Sequence, residues 1–196
     1  MYLTKIQLNQ RNRDLILHYS DSEYWHKNVM SGFQHTGYEG HDKRNKHKVL
    51  FRLAGKVLYI SSIERPCYQE SEWIDRVETK DISAVVDSFE VGNTYSFDIY
   101  VVPFSRIEGK TKLLTSEKKR VEWFIDAQKY GFELQDYQLD KFSNIVLEKV
   151  GGNYEVKVTH FIGRLKITDK EQFKKLYRTG LGREKAYGAG MLLLTR

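Results

Sequence analysis

The chain is 196 residues long, enough for one large domain or two of roughly 100 residues each. Its 40% hydrophobic and 30% charged content argues for a globular chain rather than a disordered or membrane-spanning one. Lys and Arg outnumber Asp and Glu by 32 to 26, and the net charge of +6 favours a polyanionic partner without requiring one.

Cys67 is the only cysteine, which excludes an internal disulfide and a thiolate zinc cluster and suits a reducing cytoplasm. The opening residues alternate like a strand, so no signal peptide is expected. The apolar runs are too short to span a bilayer, so no membrane partner is expected either. In chain order, 2–9 reads as a strand. Ser20-Asp21-Ser22-Glu23 is a capping box with Ser20 as the cap, and it predicts a helix over about 22–35. Trp25, Val29 and Phe33 form that helix's inner stripe. Residues 36–47 are polar and basic and predict a loop, 48–53 and 56–62 a hairpin about Ala54-Gly55, and 70–88 a mixture of helix and loop. Residues 94–102 alternate as a strand that ends at Pro103. The order strand, helix, strand, strand, ambiguous segment, strand is the ferredoxin-like pattern.

Beyond Pro103 a strand is expected near 111–114. Thr115-Ser116-Glu117-Lys118 opens a helix that carries Val121, Phe124 and Ile125 inward and closes near Lys129-Tyr130-Gly131. A long hairpin over 142–150 and 153–167 turns at Gly151-Gly152-Asn153. A helix over 169–178, capped by Thr168 or Asp169, leads to a glycine-rich loop at 180–190 and a last strand at 191–195. The fold class is α+β, two tandem ferredoxin-like (RRM-like) domains with antiparallel sheets, divided as 1–93 and 94–196.

The glycine-rich segment Gly180-Leu181-Gly182-Arg183-Glu184-Lys185-Ala186-Tyr187-Gly188-Ala189-Gly190 lacks both the dinucleotide fingerprint and the Gly-Lys-Ser/Thr of a phosphate loop. Its spacing suits either an anion held on backbone amides or a tightly packed helix-to-strand turn. The pattern Gly-Leu-Gly-x-x-Lys-Ala-x-Gly-x-Gly-Met-Leu near the C-terminus resembles the CasE family, the repeat-processing endoribonucleases of type I-E CRISPR systems. The opening Met1-Tyr2-Leu3-Thr4-Lys5, the stretch 94–112 and the stretch 160–169 resemble that family in the same order. Residues 36–93 do not carry the resemblance. Asp98 departs from it, since family members tend to be basic there.

The resemblance implies a metal-independent endoribonuclease that needs no cofactor. Such an enzyme binds the CRISPR repeat hairpin and cuts at the base of the stem. The ribose 2′-hydroxyl attacks the adjacent phosphate, giving a 2′,3′-cyclic phosphate and a 5′-hydroxyl. The product stays bound within the type I-E surveillance complex, whose other subunits are the implied protein partners. The reaction needs a base, an acid and cations on the phosphorane. Of His18, His26, His35, His41, His47 and His160, only His26 lies where the family carries its catalytic histidine, on the first helix. His18 is the runner-up. Some members have a tyrosine three residues before that histidine; Glu23 stands there in this chain, and Tyr24 is the nearest phenol. Lys27 is a candidate for phosphate neutralisation. His35, His41 and His47 match no common metal spacing.

The implied RNA-binding positions are Arg106, Lys110 and Lys112; Lys118, Lys119 and Arg120 at a helix start; Lys149 and Lys157 on the hairpin; and Gly180, Gly182, Arg183, Lys185, Gly188 and Gly190. Stem recognition rests on backbone and shape, because the A-form major groove is deep and narrow. The competing reading is a non-catalytic RNA-binding subunit of a CRISPR ribonucleoprotein.

Overall fold

The computed structural model describes residues 1–34, 42–68, 71–149 and 152–195. The chain divides into two compact units. One comprises Met1–Asp87, Val146–Glu155 and Ala186–Gly188; the other comprises Ser88–Ile145, Val156–Lys185 and Ala189–Arg196.

In the first unit, β1 (Tyr2–Leu8) pairs antiparallel with both β3 (Val57–Ser62) and β4 (Ile74–Asp81), and β2 (Leu50–Ala54) lies beyond β3. The sheet order β2-β3-β1-β4 is the ferredoxin-like order. Ile6 and Leu8 on β1 and Leu58 and Ile60 on β3 bury one face of the sheet. Against them packs a helix that follows the short α1 (Arg13–Leu17), namely α2 (Ser22–Ser31), whose Trp25 and Val29 are buried together with Phe33 just beyond it. The expected stripe is therefore the one observed.

The helix ends differ from the expectation. Asp21, not Ser20, is the N-cap, and its carboxylate accepts from the amides of Glu23 and Tyr24 at 2.8 and 3.1 Å. A carboxylate also complements the positive end of the helix dipole. The helix ends at Gly32, and Tyr68 occupies the space beside that glycine. A Cβ on Gly32 would lie on the Tyr68 ring, and the Tyr68 hydroxyl donates to Val29 O at 2.8 Å. A short α3 (Asp42–Lys46) precedes β2, and α4 (Ser83–Asp87) follows β4. The mixed region 70–88 thus supplies the fourth strand of this sheet. The strand at 94–102, read as the last of the first pattern although the division at 93/94 placed it in the second half, is observed over 94–101 in the second sheet.

In the second unit, β5 (Thr94–Val101) pairs antiparallel with β9 (Gly152–Ile167) and β10 (Leu192–Thr195), and β8 (Phe132–Lys149) lies beyond β9. The order β10-β5-β9-β8 repeats the ferredoxin-like arrangement. Between β5 and β8 come the hairpin of β6 (Phe104–Ile107) and β7 (Lys110–Leu113), then α5 (Glu117–Asp126) and a 3-10 turn (Ala127–Tyr130). Gly131 ends that turn at φ +92°, as the expected C-cap. The last helix, α6 (Lys170–Thr179), is capped by Asp169, which accepts from Gln172 N at 3.0 Å. Phe124 of α5 stacks on Phe161 of β9 at 4.0 Å between ring centres. Gly163 lets β8 approach, since a Cβ there would collide with the backbone of Asp136.

The inward stripe of α5 is rotated from the expected one. Ile125 is 40% exposed, whereas Arg120 and Phe124 are buried. Arg120 can enter the interior because its guanidinium finds acceptors there. Its Nε donates to Leu114 O at 2.9 Å, Nη2 to Thr115 O at 2.7 Å, and Nη1 to Thr159 Oγ1 at 3.5 Å.

Candidate catalytic histidine and basic positions

His26 lies one residue past Trp25, at the edge of the buried stripe of α2, and is half-buried. Its Nδ1 lies 3.0 Å from the carbonyl oxygen of Ala186, within the first unit. A carbonyl only accepts, so Nδ1 carries a proton. In the neutral ring the lone pair is then on Nε2. Tyr187 stands beside it, with the ring centres 6.0 Å apart and inclined by 54°. An imidazole pinned through Nδ1 and walled by an aromatic ring can take or give a proton through Nε2 without losing its orientation.

Tyr24 belongs to a different cluster. It stacks on His18 at 5.2 Å and 12°, and its phenol pKa is pushed up to about 12, by burial first and then by Asp14. His18 lies 3.5 Å from carboxylate oxygens of both Asp14 and Asp21, at the junction of α1 and α2. Lys27 is exposed on α2 next to His26. Glu23 lies one turn before His26 on the same helix. His47 is buried and stacks on Phe33 at 5.6 Å. His35 and His41 lie outside the described residues.

The glycine-rich segment is a packed turn. Gly180, Gly182, Gly188 and Gly190 all have positive φ, between +71° and +89°. The clearest requirement is at Gly190, where a Cβ would stand 2.5 Å from Leu181 O. The amides of Leu181, Arg183, Ala189 and Gly190 donate to the carbonyls of Gly190, Val102, Glu184 and Tyr100. Those amides brace the turn instead of forming an open anion cradle. Lys185 donates to Thr179 O and Gly180 O at 2.8 and 3.0 Å, at the C-terminal end of α6. The Arg183 guanidinium lies 5.7 Å from the centre of the Phe104 ring.

Among the other basic positions, Arg106, Lys110 and Lys112 are exposed on the β6–β7 hairpin, with Arg106 paired across from Thr111. Lys118 and Lys119 are exposed at the start of α5, and Lys118 lies 4.0 Å from Glu122. Arg120 differs from its neighbours. It is buried on carbonyls, so its charge organises the 114–115 turn and is not part of an exposed face. The side chains of Lys149 and Lys157 lie outside the described residues.

Sequence reasoning missed Tyr187 and the Ala186 carbonyl. Both sit inside the glycine motif, and the only available signal was the motif itself. It also left Asp98 unexplained. Asp98 lies 2.5 Å from His160 Nε2, while Asp140 lies 3.1 Å from Nδ1 and the Tyr100 ring packs at 4.3 Å. The ring can donate to both carboxylates at once only as an imidazolium.

These features point to one class. The chain belongs to the CRISPR-associated protein family, whose model matches residues 1–196. Among solved structures, the fold is similar to a CRISPR endoribonuclease Cse3 bound to a 19 nt RNA, with a TM-score of 0.85 at 20% identity covering 100% of both chains. It is also similar to Thermus thermophilus Cse3 bound to an RNA representing a pre-cleavage complex, with a TM-score of 0.81 at 19% identity over 100% of this chain and 98% of that one. A chain of a CRISPR RNA-guided surveillance complex matches with a TM-score of 0.70 at 19% identity, over 100% of this chain and 99% of that one. At these identities the likeness establishes the fold. No curated protein matches the chain by sequence. No helix among the described residues is long and apolar enough to cross a membrane.

Proposed function

We propose that the chain is a metal-independent endoribonuclease that binds a CRISPR repeat hairpin, cuts precursor CRISPR RNA at the base of the stem, and stays with its product in a surveillance complex. The observation that carries this reading is the pinned His26, held through Nδ1 by Ala186 of the glycine motif and flanked by Tyr187. The reading draws further support from a fold shared with Cse3 structures determined with RNA.

In the proposed step a base removes the proton of the ribose 2′-hydroxyl, and the oxygen attacks the adjacent phosphorus. The bond to the 5′-oxygen breaks, and that oxygen takes up a proton. The products are a 2′,3′-cyclic phosphate and a 5′-hydroxyl, with no water or metal consumed. His26 Nε2 is the atom that exchanges a proton with the RNA. Lys27, exposed on the next helical position, offsets charge on the phosphorane. Tyr24, stacked on His18, supports the start of the helix that carries His26. Arg106, Lys110, Lys112, Lys118 and Lys119 supply phosphate contacts to the stem.

The second reading, a binding subunit without cleavage, is favoured by Glu23 standing where the family resemblance has a tyrosine. A labelled RNA carrying the host's own CRISPR repeat, incubated with the protein in EDTA, separates the two. Cleavage that His26→Ala abolishes while binding persists supports the enzyme. Binding without cleavage by the parent protein supports the alternative.

A further inference from the structure

A cavity of about 300 Å³ opens in the second unit between α5 with its 3-10 turn and α6, well away in sequence from His26. We propose that it is a subsite for one unpaired nucleotide of single-stranded RNA, taking the base on Trp123 and Phe104 and the phosphate on Lys175. The inference extends the RNA-binding reading above to a second, single-stranded contact.

The volume lies at the small end of ligand clefts and suits one nucleotide rather than a duplex. Trp123 and Phe104 are half-buried, with ring centres 6.2 Å apart. Trp25 and Trp73 are buried in the first unit's core, at 3% and 8% exposed. Trp123, by contrast, is half-buried and lines the cavity. Gly182 also belongs to that wall: a Cβ there would come within 3.4 Å of the Trp123 ring. Base-on-aromatic stacking is tolerant of sequence because every base offers a π-face. The Gln172 side chain adds an amide NH2 that donates and a carbonyl oxygen that accepts for a base edge.

Charge then selects the ligand. Lys129, Lys175 and Lys185 line the cavity against one carboxylate, Asp126. Asp126 pairs with Lys129, which also lies 5.7 Å from the Tyr130 ring centre. Lys185 is bonded to the last carbonyls of α6 and so offsets the negative helix end that would otherwise repel a phosphate. Lys175 is exposed on the cavity-lining face of α6 and carries the remaining charge. Aromatic walls together with excess lysine match a nucleotide better than an acidic peptide, which would leave the flat rings without stacking partners.

The test is a titration of the full chain with an adenosine pentanucleotide, read by tryptophan fluorescence and by anisotropy of a labelled copy. The expected result is saturable quenching of Trp123. Affinity should fall roughly ten-fold in Trp123→Ala, recover largely in Trp123→Phe, and fall several-fold with a shallower salt dependence in Lys175→Gln. Lys175→Gln alters an exposed position and reads the site even if Trp123→Ala folds poorly. No quenching in the parent, or parental affinity in both Trp123→Ala and Lys175→Gln, overturns the inference. So does quenching by a glutamate-rich peptide with none by the pentanucleotide. Repeat-hairpin cleavage, measured on the same samples, separates the two proposals. Cleavage without pentanucleotide binding sinks the subsite alone, and pentanucleotide binding without hairpin recognition sinks the endoribonuclease reading alone.

Discussion

At the scale of single residues, two side chains that look alike in sequence terms have opposite fates. His26 and Arg120 both lie on helices, and both are natural phosphate-handling residues. His26 remains at the edge of its stripe because a carbonyl 160 positions away accepts from Nδ1. Replacing it with alanine is expected to lower cleavage by about 10²–10⁴-fold, the usual worth of a proton-transfer group, with RNA affinity little changed. Single-turnover cleavage beside a binding isotherm measures both. Arg120 is drawn inward by three oxygen acceptors. Arg120→Met should leave the Leu114 and Thr115 carbonyls without donors and cost about 3 kcal/mol of stability. That corresponds to a Tm drop on the order of 10 °C in thermal unfolding. The salt dependence of RNA binding should not change in this variant, and a shallower slope would place Arg120 on the RNA after all.

At the scale of elements, local signals located most helices and strands, and their ends followed contacts made elsewhere. The α2 stripe was legible because Trp25, Val29 and Phe33 recur at helical spacing. The need for glycine at position 32 was not, because the ring that fills the space there is Tyr68, more than thirty residues on. The α5 stripe was misjudged by one step because arginine counts as polar, whereas buried carbonyl acceptors allow it to turn inward. Glycines behave similarly. Gly163→Ala should push β8 from β9, since its Cβ would meet the Asp136 backbone, and Gly190→Ala adds a strained φ of +82° to a close approach. Each is expected to lower stability by about 1–3 kcal/mol in denaturant titrations. Burial also raises the phenol pKa values of Tyr24, to about 12, and of Tyr68. Above pH 10 the unfolded chain therefore loses these protons before the folded one does, and stability falls with rising pH. Stability curves at pH 9 and 11 should show the drop, and it should be smaller in Tyr68→Phe.

At the scale of the whole molecule, a net charge of +6 is a weak indicator until it is known which cations face solvent. Arg106, Lys110, Lys112, Lys118 and Lys119 do. Neutralising any one that contacts a phosphate should reduce the slope of log affinity against log salt by about 1. Binding isotherms at several salt concentrations, for Lys110→Gln and Lys112→Gln, measure this directly.

The sequence by itself determined the family, through the glycine motif and its ordered companions. It also determined the alternation of strands and helices and the helix that carries His26, because periodicity and capping act over a few neighbouring residues. The tertiary structure alone decided that 74–81, and not 94–101, completes the first sheet. Strand pairing depends on which edges meet, and hydrophobic alternation is the same on either sheet. It alone brought Tyr187 to His26 and Asp98 to His160, and it turned Arg120 away from solvent. Each of these rests on a partner distant in the chain, supplied by packing and invisible to local spacing.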